Sequence, residues 1–133
     1  DTYSGGYKDG FKSGFGTFTY TNGCKYVGHF EQDEKSGKGT YSWEDGGKYV
    51  GDFLNNTFHG NAERTYANGE KYIGAFKNGK KHGTGVYSQP NGDVFKGEWK
   101  NNMKVGVGIL TTSSGRKIRC LFEKNQLISY QIL

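Results

Sequence analysis

The sequence predicts an all-β protein that forms an elongated, single-layer, twisted antiparallel sheet built from tandem β-hairpins. Three observations support this prediction. The chain of 133 residues holds 23 Gly and one Pro, its aromatic residues recur at a fixed spacing of 23 residues, and two short runs in each period alternate with period two. Glycine recurs too often in every window for a helix. The 2 Trp, 10 Tyr and 9 Phe also argue against a disordered chain.

The repeat has five complete copies without an insertion. They cover residues 3–25, 26–48, 49–71, 72–94 and 95–117. Each copy starts on a lead aromatic residue, counted here as position zero; these are Tyr3, Tyr26, Tyr49, Tyr72 and Phe95. A second aromatic residue follows at position four, and glycine occupies positions two, eleven, thirteen and twenty in nearly every copy. Because both alternating runs of a copy are strand-like, each copy predicts one β-hairpin.

The turn between consecutive hairpins, here called the linking turn, ends in Asn-Gly or a similar pair. Two geometries compete for it. A two-residue type I′ turn suits Asn-Gly, but it would pair the lead aromatic residue with Thr or Ser at position sixteen. A three-residue loop with a left-handed glycine pairs it with the residue at position fifteen, which is usually aromatic. That loop also puts Pro90 at the first turn position, where its fixed φ fits. The sequence therefore favours the three-residue loop.

The same register sets two glycines opposite each other, at positions two and thirteen. Such a pair leaves bare backbone on which a neighbouring ring can lie, and the buried ring offsets the cost of glycine in a strand. One face is thereby predicted to carry an aromatic stripe, and the other Thr, Ser, Lys and Glu. Because no second layer is available, the stripe is predicted to form a partly open groove for a partner protein. The predicted groove residues are Tyr3, Tyr7, Phe18, Tyr20, Tyr26, Phe30, Tyr41, Trp43, Tyr49, Phe53, Tyr66, Tyr72, Phe76, Tyr87, Phe95 and Trp99.

The carboxyl-terminal residues change character. Cys120 replaces glycine at position two of a sixth copy, and the repeat is predicted to break down there, which leaves residues 118–133 as a partial sixth repeat and a cap or tail. An open terminal strand invites pairing with another chain. Two interpretations stay open: the tail caps its own array, or it joins two copies end to end as a homodimer. The predicted self-association residues are Leu121, Leu127, Ile128, Tyr130, Ile132 and Leu133.

Positive charge is concentrated in the carboxyl half. Residues 1–71 hold 8 Lys and Arg against 10 Asp and Glu, and residues 72–133 hold 10 against 3, so the halves carry −2 and +7. This density is below that of a nucleic-acid-binding arm, and no nucleic-acid partner is expected. It suits weak contact with an anionic phospholipid surface, with several cations expected at hairpin tips along one edge. The predicted lipid-contacting residues are Lys77, Lys80, Lys81, Lys96, Lys100, Lys104, Arg116, Lys117 and Arg119.

No pattern predicts catalysis, a metal or a cofactor. The stretch from Gly74 to Lys80 resembles a phosphate-binding loop, but Lys81 stands where such a loop needs Ser or Thr. Its glycines belong to slots that the other copies also fill. His59 and His82 occupy one slot in successive copies and show no ligand spacing. We therefore expect neither an enzyme nor a metal site.

The two cysteines indicate a reducing compartment. Cys24 and Cys120 lie four copies apart, which at about 4.8 Å per strand is far beyond the reach of a disulfide. Free thiols are typical of the cytosol or nucleus. Because the chain begins at Asp1, already inside the pattern, we also expect it to be a piece of a longer protein.

The pattern Tyr-x-Gly-x-Phe/Trp, then Gly-x-Gly, then Asn/Asp-Gly, closing at 23 residues, resembles the MORN repeat. The resemblance covers nearly all of residues 3–117, with a partial sixth copy at 118–123. His59 and His82 match the histidine that commonly precedes Gly-x-Gly in the family. In the third copy, Ala62 replaces glycine and Arg64 replaces the aromatic residue, so an interruption of the groove is expected there.

The resemblance implies an elongated hairpin array without catalysis of its own. MORN arrays occur in cytoskeletal scaffolds, in junctional membrane proteins and beside enzymatic domains such as lipid kinases. Protein binding, self-association and phospholipid binding are the functions credited to the family. Those functions favour a cytoskeletal or membrane-associated protein as the partner.

Three hypotheses about function follow. The first is a non-enzymatic scaffold or adaptor that binds a protein segment along the aromatic groove and self-associates at its carboxyl end. The alternative is peripheral binding of anionic phospholipids through the basic half. The third is a spacer or targeting module for an enzyme elsewhere in a longer chain. The expected location is the cytoplasm, on the cytoskeleton or at a membrane surface.

Overall fold

All 133 residues are described by the computed structural model, which forms a single twelve-stranded antiparallel sheet with the strands in chain order. The all-β fold is confirmed, and β1 and β12 lie at the two open edges. The strands are β1 (Thr2–Lys8), β2 (Phe11–Thr19), β3 (Lys25–Glu31), β4 (Glu34–Ser42), β5 (Lys48–Leu54), β6 (Thr57–Thr65), β7 (Lys71–Lys77), β8 (Lys80–Ser88), β9 (Val94–Lys100), β10 (Met103–Thr111), β11 (Lys117–Glu123) and β12 (Gln126–Ile132).

The linking turn has the predicted three-residue geometry. In the first one, the Tyr20 amide donates to the Cys24 carbonyl at 2.9 Å, and the Gly23 amide donates to the Tyr20 carbonyl at 3.1 Å. Gly23 has φ 92°, the left-handed conformation that glycine adopts without strain. Tyr26 consequently pairs with Phe18, the residue at position fifteen of the preceding copy. Pro90 lies at the first of the three loop positions, as expected.

The other turns, here called the hairpin tips, join the two strands of each copy and follow the type I′ pattern. Both central residues have positive φ, for example Asn55 at 49° and Asn56 at 69°. Type I′ turns match the right-handed twist of the flanking strands. The two turn types therefore alternate along the array, with all tips at one end of the strands and all linking turns at the other.

Each hairpin also contains a bulge beside its tip. In the second hairpin, Gly28 pairs with Gly39 and Phe30 pairs with Lys35. Three residues of β4 therefore face a single residue of β3, and Gly37 within the bulge has φ 73°. Because the bulge adds an even number of residues to β4, Lys35 stays on the same face as Phe30, and the residue at position nine joins the aromatic rings.

The core is a layer of rings lying over paired glycines. A Cβ atom at Gly39 would lie 2.5 Å from the hydroxyl oxygen of Tyr26, so the ring occupies the space that a side chain would need. Tyr26, Tyr49 and Tyr72 are 0% exposed. Their hydroxyls stay satisfied because each donates to a carbonyl of its own strand, as Tyr26 does to His29 at 2.8 Å.

The face opposite the rings, here called the back face, is less polar than predicted. It carries ion pairs and polar pairs such as Lys38–Asp52 at 2.8 Å. It also carries an exposed apolar row, in which Val50 and Ile73 are each 50% exposed. The prediction of Thr, Ser, Lys and Glu alone was therefore wrong for this face. β-branched residues at position one fill it because they suit strand geometry even when solvated.

Residues 118–133, predicted to be a partial sixth repeat and a cap or tail, form a sixth hairpin in which β12 pairs with β11. Its second strand, β12, is shorter than the second strands of the other hairpins and is exposed throughout. Cys120 is buried and takes the glycine slot, while Ile118 and Phe122 pack against the core. Cys24 is also buried, and both thiols are free.

Candidate functional site

The sixteen predicted groove residues lie on one side of the sheet, here called the aromatic face. The structure divides them by accessibility. Eight are buried in the core and are therefore not open to a partner: Tyr26, Phe30, Tyr49, Phe53, Tyr72, Phe76, Phe95 and Trp99. The other eight are half-buried or exposed: Tyr3, Tyr7, Phe18, Tyr20, Tyr41, Trp43, Tyr66 and Tyr87. An open aromatic surface remains, but it is narrower than the sequence predicted.

Five of the accessible rings form a band near the linking turns, here called the open stripe: Tyr20, Tyr41, Trp43, Tyr66 and Tyr87. The first three rings are in contact, with centroids 5.9 Å apart for Tyr20 and Tyr41, and 4.9 Å apart for Tyr41 and Trp43. Tyr66 and Tyr87 form a second group, with centroids 6.0 Å apart. Half-buried rings in contact provide a rigid apolar floor of the kind that anchors protein interfaces.

Sequence analysis did not identify the lysines at position nine as part of this surface. The Lys35 ammonium lies 5.4 to 5.9 Å from the ring centroids of Tyr20, Tyr26 and Tyr41. Lys81 lies 4.9 to 5.7 Å from four rings, and Lys104 lies over three. Cation–π attraction holds each ammonium against the aromatic face.

The tip of each following hairpin fixes the backbone of these lysines. The Asn56 amide donates to the Lys35 carbonyl at 3.1 Å, and the Lys35 amide donates to the Asn56 side-chain oxygen at 2.8 Å. Asn102 makes the same two bonds to Lys81, and Asn125 makes them to Lys104. A spacing of 21 residues links the partners, and that regularity is the sequence signal that could have revealed the contact.

In the third hairpin, the cation of position nine and the aromatic residue of position fifteen have exchanged places. Phe58 takes the lysine position and stacks on Tyr49, with centroids 3.9 Å apart and planes at 8°. Arg64 takes the aromatic position, and its guanidinium carbon lies 3.8 Å from the Trp43 ring and 4.2 Å from the Tyr66 ring. Position fifteen of the third hairpin therefore carries no ring, and the Arg64 guanidinium bridges the gap between the Trp43 and Tyr66 rings.

Five cations line the aromatic face, and four of them, one on each of β4, β6, β8 and β10, have no ion-pair partner; the fifth, Lys12 on β2, pairs with Asp33. We call the four unpaired cations the cation row: Lys35, Arg64, Lys81 and Lys104. None belongs to an ion pair, since the three ion pairs of the chain are Lys12–Asp33, Lys38–Asp52 and Lys71–Glu63. Burial lowers the pKa of Lys81 and of Arg64. The row is thus half-desolvated positive charge without a carboxylate in direct contact.

The nine predicted lipid-contacting residues do not share one surface. Lys77, Lys80 and Lys100 flank the hairpin tips, as predicted. Lys81 and Lys104 belong to the cation row on the aromatic face, where each is paired with an aromatic residue of the neighbouring strand. The remaining four lie elsewhere, with two on the back face and two beside the last linking turn: Lys96, Arg119, Arg116 and Lys117.

No three His, Cys, Asp or Glu side chains come together in a way that would hold a metal ion. The chain contains no helix with the length and apolar character of a membrane span. What the structure assembles is a ring-lined surface bordered by unpaired cations.

A family model of the MORN repeat matches residues 3–25, 26–48, 49–71, 72–94 and 95–115. No curated protein matches the chain. The matched repeats coincide with the first five hairpins, and the glycines and rings that define the fold are those of the repeat. MORN repeats are non-enzymatic modules that generally mediate interaction with proteins or membranes. With five consecutive matches over most of its length, the chain belongs to the MORN repeat family.

Proposed function

We propose that this array is a non-enzymatic scaffold or adaptor whose aromatic face binds a segment of another protein. The observation that supports this proposal is the open stripe, a band of contacting half-buried rings on the aromatic face. Tyr and Trp bury large areas at a low cost in side-chain entropy, and they dominate the affinity of protein interfaces. The stripe runs across the strands, so its natural occupant is an elongated segment.

The back face is the competing surface for a segment, because it too exposes apolar side chains. Panning a displayed library of random segments against the chain separates the two. We expect the selected segments to lose at least about tenfold in affinity on Trp43→Ala, since truncating an interface ring typically costs more than 1 kcal/mol. Val50→Ala, on the back face, should leave the affinity unchanged.

Because Trp43→Ala also removes packing against Phe58 and Arg64, a second measurement uses the unaltered chain. A spin-labelled segment should broaden the ring protons of Tyr41 and Tyr66 more than the methyl protons of Val50 and Ile73. Stronger broadening of the methyl protons would place the segment on the back face and contradict the proposal.

We also propose that the array self-associates through β12. This strand lies at an open edge of the sheet, and all of its residues are exposed. Tyr130 and Ile132 are 65% and 54% exposed. Unpaired backbone groups beside apolar side chains favour pairing with a second copy of the same strand.

Light scattering tests the self-association. We expect a mass near twice the 14.8 kDa of the chain, falling to the single-chain mass for Tyr130→Lys with Ile132→Lys. The matched control adds the same charges at the other open edge, with Thr2→Lys and Ser4→Lys, and should remain dimeric. A single-chain mass for the unaltered protein would contradict the proposal, as would loss of the dimer in the control.

Phospholipid binding through the basic half stays a prediction. Its nine residues divide among the hairpin tips, the aromatic face, the back face and a linking turn, so no flat membrane meets all of them at once. Anionic vesicles are accordingly the comparison ligand in the experiment below rather than a second proposed function.

A further inference from the structure

No carboxylate of the chain lies within ion-pair distance of the cation row; Glu70 acts on Lys81, and Asp45 acts on Arg64, only at longer range. Half-buried cations in proteins are ordinarily paired with carboxylates, because desolvation without a partner is costly. Lys12 shows the ordinary arrangement, with Asp33 at 3.5 Å. Lys35, Lys81 and Lys104 occupy the same position in their own hairpins, and none of them has a carboxylate within 4.0 Å.

A further donor in the same region has no acceptor. The indole Nε1 of Trp99 is buried without a hydrogen-bond partner. Its ring lies beside the ammonium groups of both Lys81 and Lys104, at 4.9 and 5.9 Å. Buried polar groups without partners are rare in folded proteins. The Lys81 ammonium has one acceptor there, the Tyr66 hydroxyl at 3.4 Å, and the Trp99 indole has none.

The spacing of the row restricts the shape of an anionic partner. Successive cations stand on every second strand, which separates their strands by about 9.6 Å. A polyproline II helix has three residues per turn and a rise of about 3.1 Å per residue. Its side chains at every third residue therefore share one side and repeat at about 9.3 Å. An α-helix covers the same distance in six or seven residues. Side chains at that interval do not stay in line along one side of the helix.

The open stripe lies beside the cation row, and its aromatic rings also suit a polyproline II segment. Polyproline II segments dock on grooves lined by aromatic rings, and they lose little entropy because they are extended before binding. Tyr41, Trp43, Tyr66 and Tyr87 supply such rings. The carboxylates of a segment would meet the cations, while its prolines lie on the rings.

We propose that the aromatic face binds an acidic polyproline II segment that carries Asp or Glu at every third residue. The proposal rests on the proposed function, since it names the chemistry of the segment that the same face takes. Lys35, Arg64, Lys81 and Lys104 each receive one carboxylate. Arg64 reaches the row from the linking-turn end of β6, where it contacts Trp43 and Tyr66.

The probe is a synthetic peptide of four Glu-Pro-Pro units, about four turns of the helix. Its control has the same composition with the four Glu residues placed together at one end. Calorimetry should show the periodic peptide binding at least about tenfold more tightly, because only its carboxylates match the row. Equal affinity for the two peptides, or no binding of either, would overturn the proposal.

The matched protein variants remove two charges each. Lys81→Gln with Lys104→Gln should weaken the periodic peptide by at least about tenfold. Lys77→Gln with Lys80→Gln removes the same charge from a hairpin tip and should change affinity less than about twofold. Equal losses in both variants would mean that net charge alone attracts the peptide. Tighter binding of phosphatidylserine vesicles, abolished by Lys81→Gln with Lys104→Gln, would assign the row to a membrane instead.

The outcome separates this inference from the proposed function. Library segments that need Trp43 but carry no acidic period of three would leave the protein-binding face intact and overturn only its acidic specificity. Segments that bind the back face would overturn both.

Discussion

Replacing Gly85 by alanine is expected to lower the free energy of unfolding by about 3 kcal/mol, because overpacking a tight core typically costs 1–3 kcal/mol and here also displaces a buried ring. A Cβ atom at Gly85 would lie within 2.5 Å of three atoms of the Tyr72 side chain. Tyr72 is 0% exposed, and its hydroxyl donates to the Ala75 carbonyl at 2.9 Å. The Tyr72 ring would have to move off the paired Gly74 and Gly85, and its hydroxyl would lose the hydrogen bond to the Ala75 carbonyl. Urea unfolding, followed by tryptophan fluorescence, measures the loss.

The matched control is Ala62→Gly, which makes the reverse change at the same position of the third hairpin. The Cβ position of Gly51 there lies closest to Ala62 and not to the lead ring Tyr49, which stacks on Phe58 instead. We expect Ala62→Gly to cost only the backbone freedom of one glycine, about 1 kcal/mol. If Gly85→Ala costs no more than Ala62→Gly, the rings do not need bare backbone, and the explanation of the repeat fails.

The fold was predictable because its signals are local and repeated. Glycine at positions two and thirteen, rings at zero and four, and the linking-turn glycine each recur with one spacing. The register followed from a single requirement, that the rings of neighbouring strands share a face. Every later pairing, from Tyr26 with Phe18 onward, is then the same pairing moved by 23 residues.

The site was predictable only in part, because alternation fixes the face of a residue but not the contacts that its side chain makes. Counting in twos from Gly39 along β4 places Lys35 on the aromatic face, and the bulge, which adds an even number of residues, leaves that face unchanged. Beside a hairpin tip, Lys35, Lys81 and Lys104 nevertheless look like ordinary solvated charges in the sequence. The hydrogen bonds from the next hairpin tip that fix them are invisible without coordinates.

The tail shows a different limit. Cys120 at a glycine slot suggested an end to the repeat, and β11 and β12 still form a hairpin, although β12 is shorter than the second strands of the other hairpins. A buried thiol is small enough to take the place of the glycine when the lead residue is Ile118, which has no ring to lay across it. The sixth copy departs from the repeat at both position zero (Ile118) and position two (Cys120), and the loss of the ring compensates for the loss of the glycine.

The third hairpin contains the second compensating pair, and a double-mutant cycle should reveal it. We expect Phe58→Lys alone to cost about 3 kcal/mol, because it removes the ring stacked on Tyr49 and brings an ammonium near Arg64. Arg64→Tyr alone should cost about 1–2 kcal/mol by removing the guanidinium between Trp43 and Tyr66.

The double variant recreates the arrangement of the second and fourth hairpins, with lysine at position nine and tyrosine at position fifteen. Its total cost should therefore fall short of the sum by about 1–2 kcal/mol, measured by urea unfolding. Phe58→Lys combined with Leu110→Tyr, a change at the same position two hairpins away, should be additive within about 0.5 kcal/mol. Additivity of the Phe58 and Arg64 changes would mean that the two residues are independent departures from the repeat. A coupling confined to this pair would mean instead that the third hairpin keeps the cation and the ring of its two neighbours, with their positions exchanged.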